Sequence, residues 1–179
     1  RWYKKLMIIP LYGRLSKEEQ DRVFLTPPIW KRKVVISTNI AETSITINDI
    51  NTVIDSGLAK LNFYNPYSFT SSLDETLVSK SSCNQRKGRA GRTEEGTCYR
   101  LYSRKDFESR PLYTMEEIYR TDLSEVVMRM SELGIYDFDS FDFISPTSKK
   151  GIIGAIETLN MLDALEKDYS LSNIGQIMC

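Results

Sequence analysis

The sequence predicts an α/β fold built on a parallel sheet. Short apolar runs at residues 6–9, 33–37 and 52–55 read as buried strands. Helical or turn-forming stretches separate them, as the crossovers of a parallel sheet require. Beyond residue 105 the pattern changes to amphipathic helices, which places a second, helical region after the sheet.

The elements follow in order. The run Leu6-Met7-Ile8-Ile9 is a strand, and Leu11-Tyr12-Gly13-Arg14-Leu15 a loop. Ser16 and Glu19 have capping-box spacing, so a helix starts there and runs to about Phe24, where Thr26-Pro27-Pro28 stops it. Residues 33–37 form a second strand and 52–55 a third, ended by Ser56-Gly57. Residues 58–78, rich in aromatic and β-branched side chains, read as a long hairpin with a turn at Asn65-Pro66. Residues 79–90 should be helical up to Gly91, and 98–102 a further strand. Asp122 is a candidate N-cap for a helix whose apolar face is Leu123, Val126, Val127, Met130 and Leu133, closed by Gly134. A second amphipathic helix carries Ile152, Ile153, Ile156, Leu159 and Leu162, while 165–179 has no obvious closing element. Arg1 in place of Met, and a last helix with little to pack on, give the expectation of a fragment of a larger protein.

Composition narrows the function. The chain has 179 residues, with 24 Lys+Arg against 24 Asp+Glu, which excludes a uniformly basic nucleic-acid binder. The charge is nevertheless polarised: residues 1–36 carry net +6, 37–79 net −4, 80–105 net +6 and 106–179 net −8. A basic working surface on the first part is expected. No apolar run approaches the ~18 residues of a membrane span. Cys83, Cys98 and Cys179 lack CxxC spacing, so neither a disulfide framework nor a zinc cluster is indicated, and a cytoplasmic setting is expected. The absence of histidine excludes a Ser-His-Asp triad, a Cys-His pair and a His-ligated metal.

The strongest chemical signal is Gln85-Arg86-Lys87-Gly88-Arg89-Ala90-Gly91-Arg92. On a helix Gln85, Arg89 and Arg92 share one face. Two guanidinium forks and an amide there match a triphosphate. Gly88 and Gly91 cost helix stability and leave the backbone approachable. A solvated basic face or a nonspecific nucleic-acid patch is the alternative. The second signal is the polar segment 37–47, directly after a strand, where α/β sheets bind ligands.

On these residues the chain resembles the DEAH-box RNA helicases of superfamily 2. STNIAETSITI looks like their motif V, QRKGRAGR like motif VI and LYGRLSKEEQDRVF like the motif IV region. CNQRKGRAGRTEEGTCYRLYS and SRPLYTMEEIYRTDLSEVV look closest to the bacterial HrpA-type branch. The resemblance implies a RecA-like (P-loop NTPase type) domain over residues 1–144, with helices on both sheet faces and the hairpin at 58–78 inserted. A winged-helix domain would begin at about 145.

By that resemblance Arg89 and Arg92 are arginine fingers and Gln85 contacts phosphate and the attacking water. Ser44 reports the γ-phosphate state, Thr46 and Asn48 lie on the nucleotide side, and Phe24 stacks on adenine. Where many family members carry an acid two positions after Thr46, this chain has Asn48, with Asp49 next, which leaves open which of the two takes the acid's role. Gly13, Arg14, Thr38 and Asn39 match the RNA track, and the hairpin aromatics Phe63, Tyr64, Tyr67 and Phe69 could stack on bases. The implied ligands are ATP with Mg²⁺ and single-stranded RNA. The implied partner is a first RecA-like domain, because neither GxxxxGK[ST] nor a DEAH or DExH segment occurs here. No metal ligands are expected in this chain, which should be monomeric, free of membrane and inactive alone. A DNA-directed helicase of the superfamily and a degenerate helicase-like binding scaffold are the alternatives.

Overall fold

A computed structural model describes residues 5–65, 67–145 and 147–179. The chain forms two compact units, Arg1–Ala59 with Glu75–Thr114, and Lys60–Asp74 with Met115–Cys179.

The first unit holds the strands. β1 (Leu6–Leu11) pairs in parallel with β2 (Arg32–Ser37), in the register Ile9↔Val35 and Leu11↔Ser37. β3 (Thr52–Asp55) pairs in parallel with β6 (Thr97–Arg100). The pairing is parallel, as expected, but among the described residues it forms two separate two-stranded sheets rather than one. β6 ends at Arg100, before the expected Tyr102.

Between β1 and β2 the capping box closes α1 (Lys17–Asp21): the Ser16 hydroxyl accepts from the Glu19 amide, and the Glu19 carboxylate accepts from the Ser16 amide. The expected helix to Phe24 is completed by a 3₁₀ turn over Arg22–Phe24, which seats Val23 in the core. That core joins Ile9, Leu11, Val23 and Ile47, with Ile40, Ala41 and Ile45 packed against it. Segment 40–48 is thus pinned to β1 by its apolar side chains, which leaves Thr43, Ser44, Thr46 and Asn48 exposed.

β4 (Leu58–Asn65) and β5 (Thr70–Leu77) form the expected hairpin. Pro66 lies outside the described residues. The Asn65 carboxamide accepts from the Tyr67 amide at 2.9 Å, an Asx turn that leads into the tip.

In the second unit α5 (Ser124–Glu132) packs on α6 (Lys149–Met161) through Leu123, Val127, Met130, Ile152, Ala155 and Leu159. This core draws on residues on both sides of position 145. Asp122 caps from one position further out than expected: Leu123 is the cap residue, and the Asp122 carboxylate accepts from the Ser124 amide at 3.0 Å. Gly134 closes α5 with φ +74, as expected. Three residues assigned to the apolar faces lie outside the core, Leu133 at 75%, Ile153 at 55% and Leu162 at 50% exposure. Leu133 and Leu162 sit at the C-caps of α5 and α6, past the last helical residue of each. The tail does close: a Leu165–Leu171 bridge is followed by α7 (Asn173–Met178), capped by Ser172.

Leu159→Ala should therefore destabilise the second unit by about 2–5 kcal/mol. Leu133→Ala should change stability by less than about 0.5 kcal/mol. Urea unfolding of the two variants beside the parent chain measures the difference.

Candidate active site

Two helices build the site. α2 (Ile40–Thr43) follows β2 and ends at Ser44. α3 (Lys80–Gly88) starts at Ser79, whose hydroxyl accepts from the Ser82 amide, and passes into a 3₁₀ turn over Arg89–Gly91. Between them lies a hollow of about 460 Å³ lined by Glu42, Thr43, Gln85, Gly88, Arg89 and Arg92. The helical spacing of Gln85, Arg89 and Arg92 thus brings all three to one place, opposite the segment after β2. Nothing lies within 4 Å of a Cβ built on Gly88 or Gly91, so packing within the chain does not demand glycine at either position.

Beneath the hollow runs a network of buried charge. Arg86 points away from the Gln85 face. It donates from Nε to Glu42 at 3.0 Å and from Nη1 to Asp55 at 2.9 Å and to the Leu58 carbonyl at 3.1 Å. Asp55, 2% exposed, also accepts from the Tyr102 hydroxyl at 2.7 Å and from the Gly57 amide at 2.9 Å. Arg110, 3% exposed, lies 4.1 Å from the Tyr102 ring centroid and donates to Asp106 and to the carbonyls of Gly57 and Val78. Gly57 has φ +73, and a Cβ there would come within 2.6 Å of Arg110 and 2.7 Å of Tyr102, so only glycine fits. Burial opposes the charge on Asp55, yet the bonds from Tyr102, Gly57 and Arg86 outweigh it and hold the carboxyl below its ordinary value. Burial, then Cys83 and Asp55, push the Tyr102 phenol up, so it remains a donor.

Arg89 is gripped by the main chain of the facing segment. It donates from Nε and Nη2 to the Glu42 carbonyl, and from Nη1 to the Ile45 carbonyl at 3.0 Å and Thr46 Oγ1 at 3.3 Å. Burial and the neighbouring Arg92 lower its pKa. Arg92 is exposed and forms no ion pair among the described residues. The hollow therefore presents one free guanidinium and one held guanidinium.

The other residues singled out from sequence fall into three places. Ser44, Thr46 and Asn48 are exposed along the segment after α2, with Thr46 in contact with Arg89. Asp49 is committed elsewhere: Lys33, its side chain 4% exposed, pairs with it at 2.9 Å. Gly13, Arg14, Thr38 and Asn39 sit at the carboxyl ends of β1 and β2, joined by the Thr38 amide donating to the Leu11 carbonyl at 3.1 Å. Phe24 is 55% exposed at the end of the first 3₁₀ turn and is not among the residues lining the hollow. Sequence reasoning assigned no role to Glu42, Asp55, Arg86, Tyr102 or Arg110. An acid ending the apolar strand at 52–55 is the one signal that a buried cation had to meet it.

Residues 1–94 match the family described as the helicase conserved C-terminal domain. The chain belongs to that family. It is 55% identical over 175 residues to the ATP-dependent RNA helicase HrpA of Borreliella burgdorferi, covering 98% of this chain and 21% of that protein. It is 42% identical over 174 residues to the ATP-dependent RNA helicase HrpA of Escherichia coli, covering 94% and 13%. Two crystal structures of E. coli HrpB share the fold at 35% identity. One, of the DExH-box NTPase HrpB, has TM-score 0.83 over 97% of this chain and 21% of that one. The other, of the DEAH/RHA helicase HrpB, has TM-score 0.88 over 97% and 22%. The chain thus spans about a fifth or less of the length of these relatives.

The buried Asp55 gives a pH signature. Its folded-state pKa is lowered from 3.8, so its contribution is complete above that value and is lost as pH falls through the lower folded value. Asp55→Asn should cost about 3 kcal/mol near neutral pH. The gap between wild type and variant should narrow below about pH 4, where wild-type Asp55 protonates in the unfolded chain. Urea titrations between acid and neutral pH test this.

Proposed function

We propose that this chain supplies one wall of an interdomain ATP site and part of the RNA track of an ATP-dependent RNA helicase. One observation carries the reading: Gln85, Arg89 and Arg92 converge with the segment after β2 on a single hollow. Their donors suit phosphate oxygens: the unpaired Arg92 fork can bind them bidentately, and Arg89 through its remaining Nη2 N–H. ATP is the substrate, with Mg²⁺ and the Walker lysine held by a first RecA-like domain of the same protein.

In this reading the two domains close on ATP, because Arg89 and Arg92 reach the γ-phosphoryl group only in the closed state. They stabilise its charge in the transition state, and Gln85 orients the attacking water. Ser44, Thr46 and Asn48 sense the nucleotide, and Phe24 stacks on the adenine. Hydrolysis removes the link and the cleft reopens. Single-stranded RNA passes over the carboxyl ends of β1 and β2, where Gly13, Arg14, Thr38 and Asn39 are exposed together. Arg14 is the one cation among those four, so hydroxyl and amide donors hold phosphates without reading bases. Binding should tolerate sequence and depend shallowly on salt. The hairpin, with Tyr67 and Phe69 exposed at its tip, helps part the duplex. Residues from 145 open a winged-helix domain, and the working enzyme is a cytoplasmic monomer.

In the full-length enzyme, Arg89→Ala or Arg92→Ala should lower the ATPase rate by roughly 10³-fold or more, with a much smaller change in ATP affinity. Steady-state ATPase with and without RNA measures both. Normal hydrolysis with weakened RNA binding in both variants would make the cluster an RNA patch. The isolated chain should turn over no ATP.

Shortening the hairpin across residues 62–76 to a tight turn in the full-length enzyme should spare RNA-stimulated ATPase and impair duplex separation. The ratio of unwinding to ATPase reads this, and an unchanged ratio would leave the hairpin a structural arm.

A further inference from the structure

Glu42 touches both arginines that matter on the facing helix, with different atoms. Its carboxylate accepts from Arg86 Nε at 3.0 Å, and its main-chain carbonyl accepts from Arg89 Nε at 2.8 Å. The Arg86–Glu42 pair is shielded, with side-chain exposures of 15% and 11%. Arg86 is in turn fixed by Asp55, whose side chain is fully buried. α2 is four residues long and makes no side-chain cap of its own, and Ile40, Ala41 and Ile45 hold its apolar side to the core. On its polar side the Glu42–Arg86 ion pair ties it to α3.

We propose that Glu42 is a positioning residue for Arg89. Through its carboxylate on Arg86 it sets α2 against α3, and its own carbonyl then aims the Arg89 guanidinium. Arg89 spends four of its five N–H donors on the Glu42 carbonyl, the Ile45 carbonyl and Thr46 Oγ1, and one N–H on Nη2 remains for a ligand. A guanidinium held in this way meets a phosphoryl oxygen without first losing side-chain freedom. The pairing has a second effect at the same residue. Glu42 lines the hollow, and Arg86 cancels its charge, which would otherwise face the phosphates of a nucleotide. The inference rests on the arginine-finger reading of Arg89.

A double-mutant cycle in the full-length enzyme tests it, read by RNA-stimulated ATPase. Glu42→Ala should lower kcat roughly 10- to 100-fold, because a small misplacement of a catalytic group costs that much. KM for ATP should stay within about threefold, and kcat is taken per folded enzyme by circular dichroism, because loss of folded enzyme also lowers apparent kcat at unchanged KM. Glu42→Gln keeps an acceptor for Arg86 and should retain kcat within about threefold. In the Arg89→Ala background, Glu42→Ala should cost less than about twofold more, since the residue it positions is gone. If the alanine variant does not fold, Glu42→Asp, too short to span the contact, reads the same cycle. Where Arg89→Ala is itself impaired, a Glu42→Ala variant that is neutral or faster in the enzyme that keeps Arg89, or equally harmful with and without Arg89, overturns this inference alone. An Arg89→Ala enzyme of normal rate overturns the finger reading and this inference with it.

Discussion

Arg86 is the constraint on which the site depends. Its guanidinium bridges Glu42 on α2 and Asp55 at the end of β3, and it is carried by α3. Three elements from separate stretches of chain meet on one side chain. The cost of burying these charges is large, and a single ion pair offsets it poorly. Here the geometry improves the balance, because Asp55 accepts from two donors besides Arg86, the Tyr102 hydroxyl and the Gly57 amide. Removal of any one member leaves the others buried and underpaired, which makes the arrangement specific rather than merely stabilising.

The surface above this network owes its chemistry to a division of labour within segment 40–48. Ile40, Ala41, Ile45 and Ile47 pack toward the core of β1, so the intervening hydroxyls and carbonyls face outward. Arg89 takes up those carbonyls and Arg92 does not, which places two guanidiniums of different freedom at one hollow. The carboxyl ends of β1 and β2 carry a second polar surface, tied by the Thr38 amide and the Ser37 hydroxyl to the Leu11 carbonyl. Residues 38–44, the connection from β2 through α2, contribute to both surfaces: Thr38 and Asn39 to one, Glu42 and Thr43 to the other.

Local features were legible in the sequence. The Ser16–Glu19 box, the Gly134 stop and the strand runs depend on neighbours within a few residues, and each appears where periodicity and capping place it. The common face of Gln85, Arg89 and Arg92 was legible for the same reason. Features that depend on distant packing were not. The exposure of Leu133, Ile153 and Leu162 reflects which helix lies opposite, and periodicity cannot supply that. The split into two parallel pairs depends on strand partners remote in sequence. Glu42 and Arg86 are 44 residues apart, and each sits inside a motif whose other members drew attention to the ligand side. Asp49, an alternative to Asn48 by position, is spoken for by Lys33 on β2.

A crystal structure of the full-length enzyme with RNA, ADP and aluminium fluoride, a mimic of the transferring phosphoryl group, tests the account most directly. Arg89 and Arg92 should lie within hydrogen-bonding distance, about 2.7–3.2 Å, of the fluoride ligands. Arg86 should still pair with Glu42 and Asp55. Guanidiniums of Arg89 and Arg92 turned onto RNA phosphates, or Arg86 released from its two carboxylates in the closed state, would contradict it.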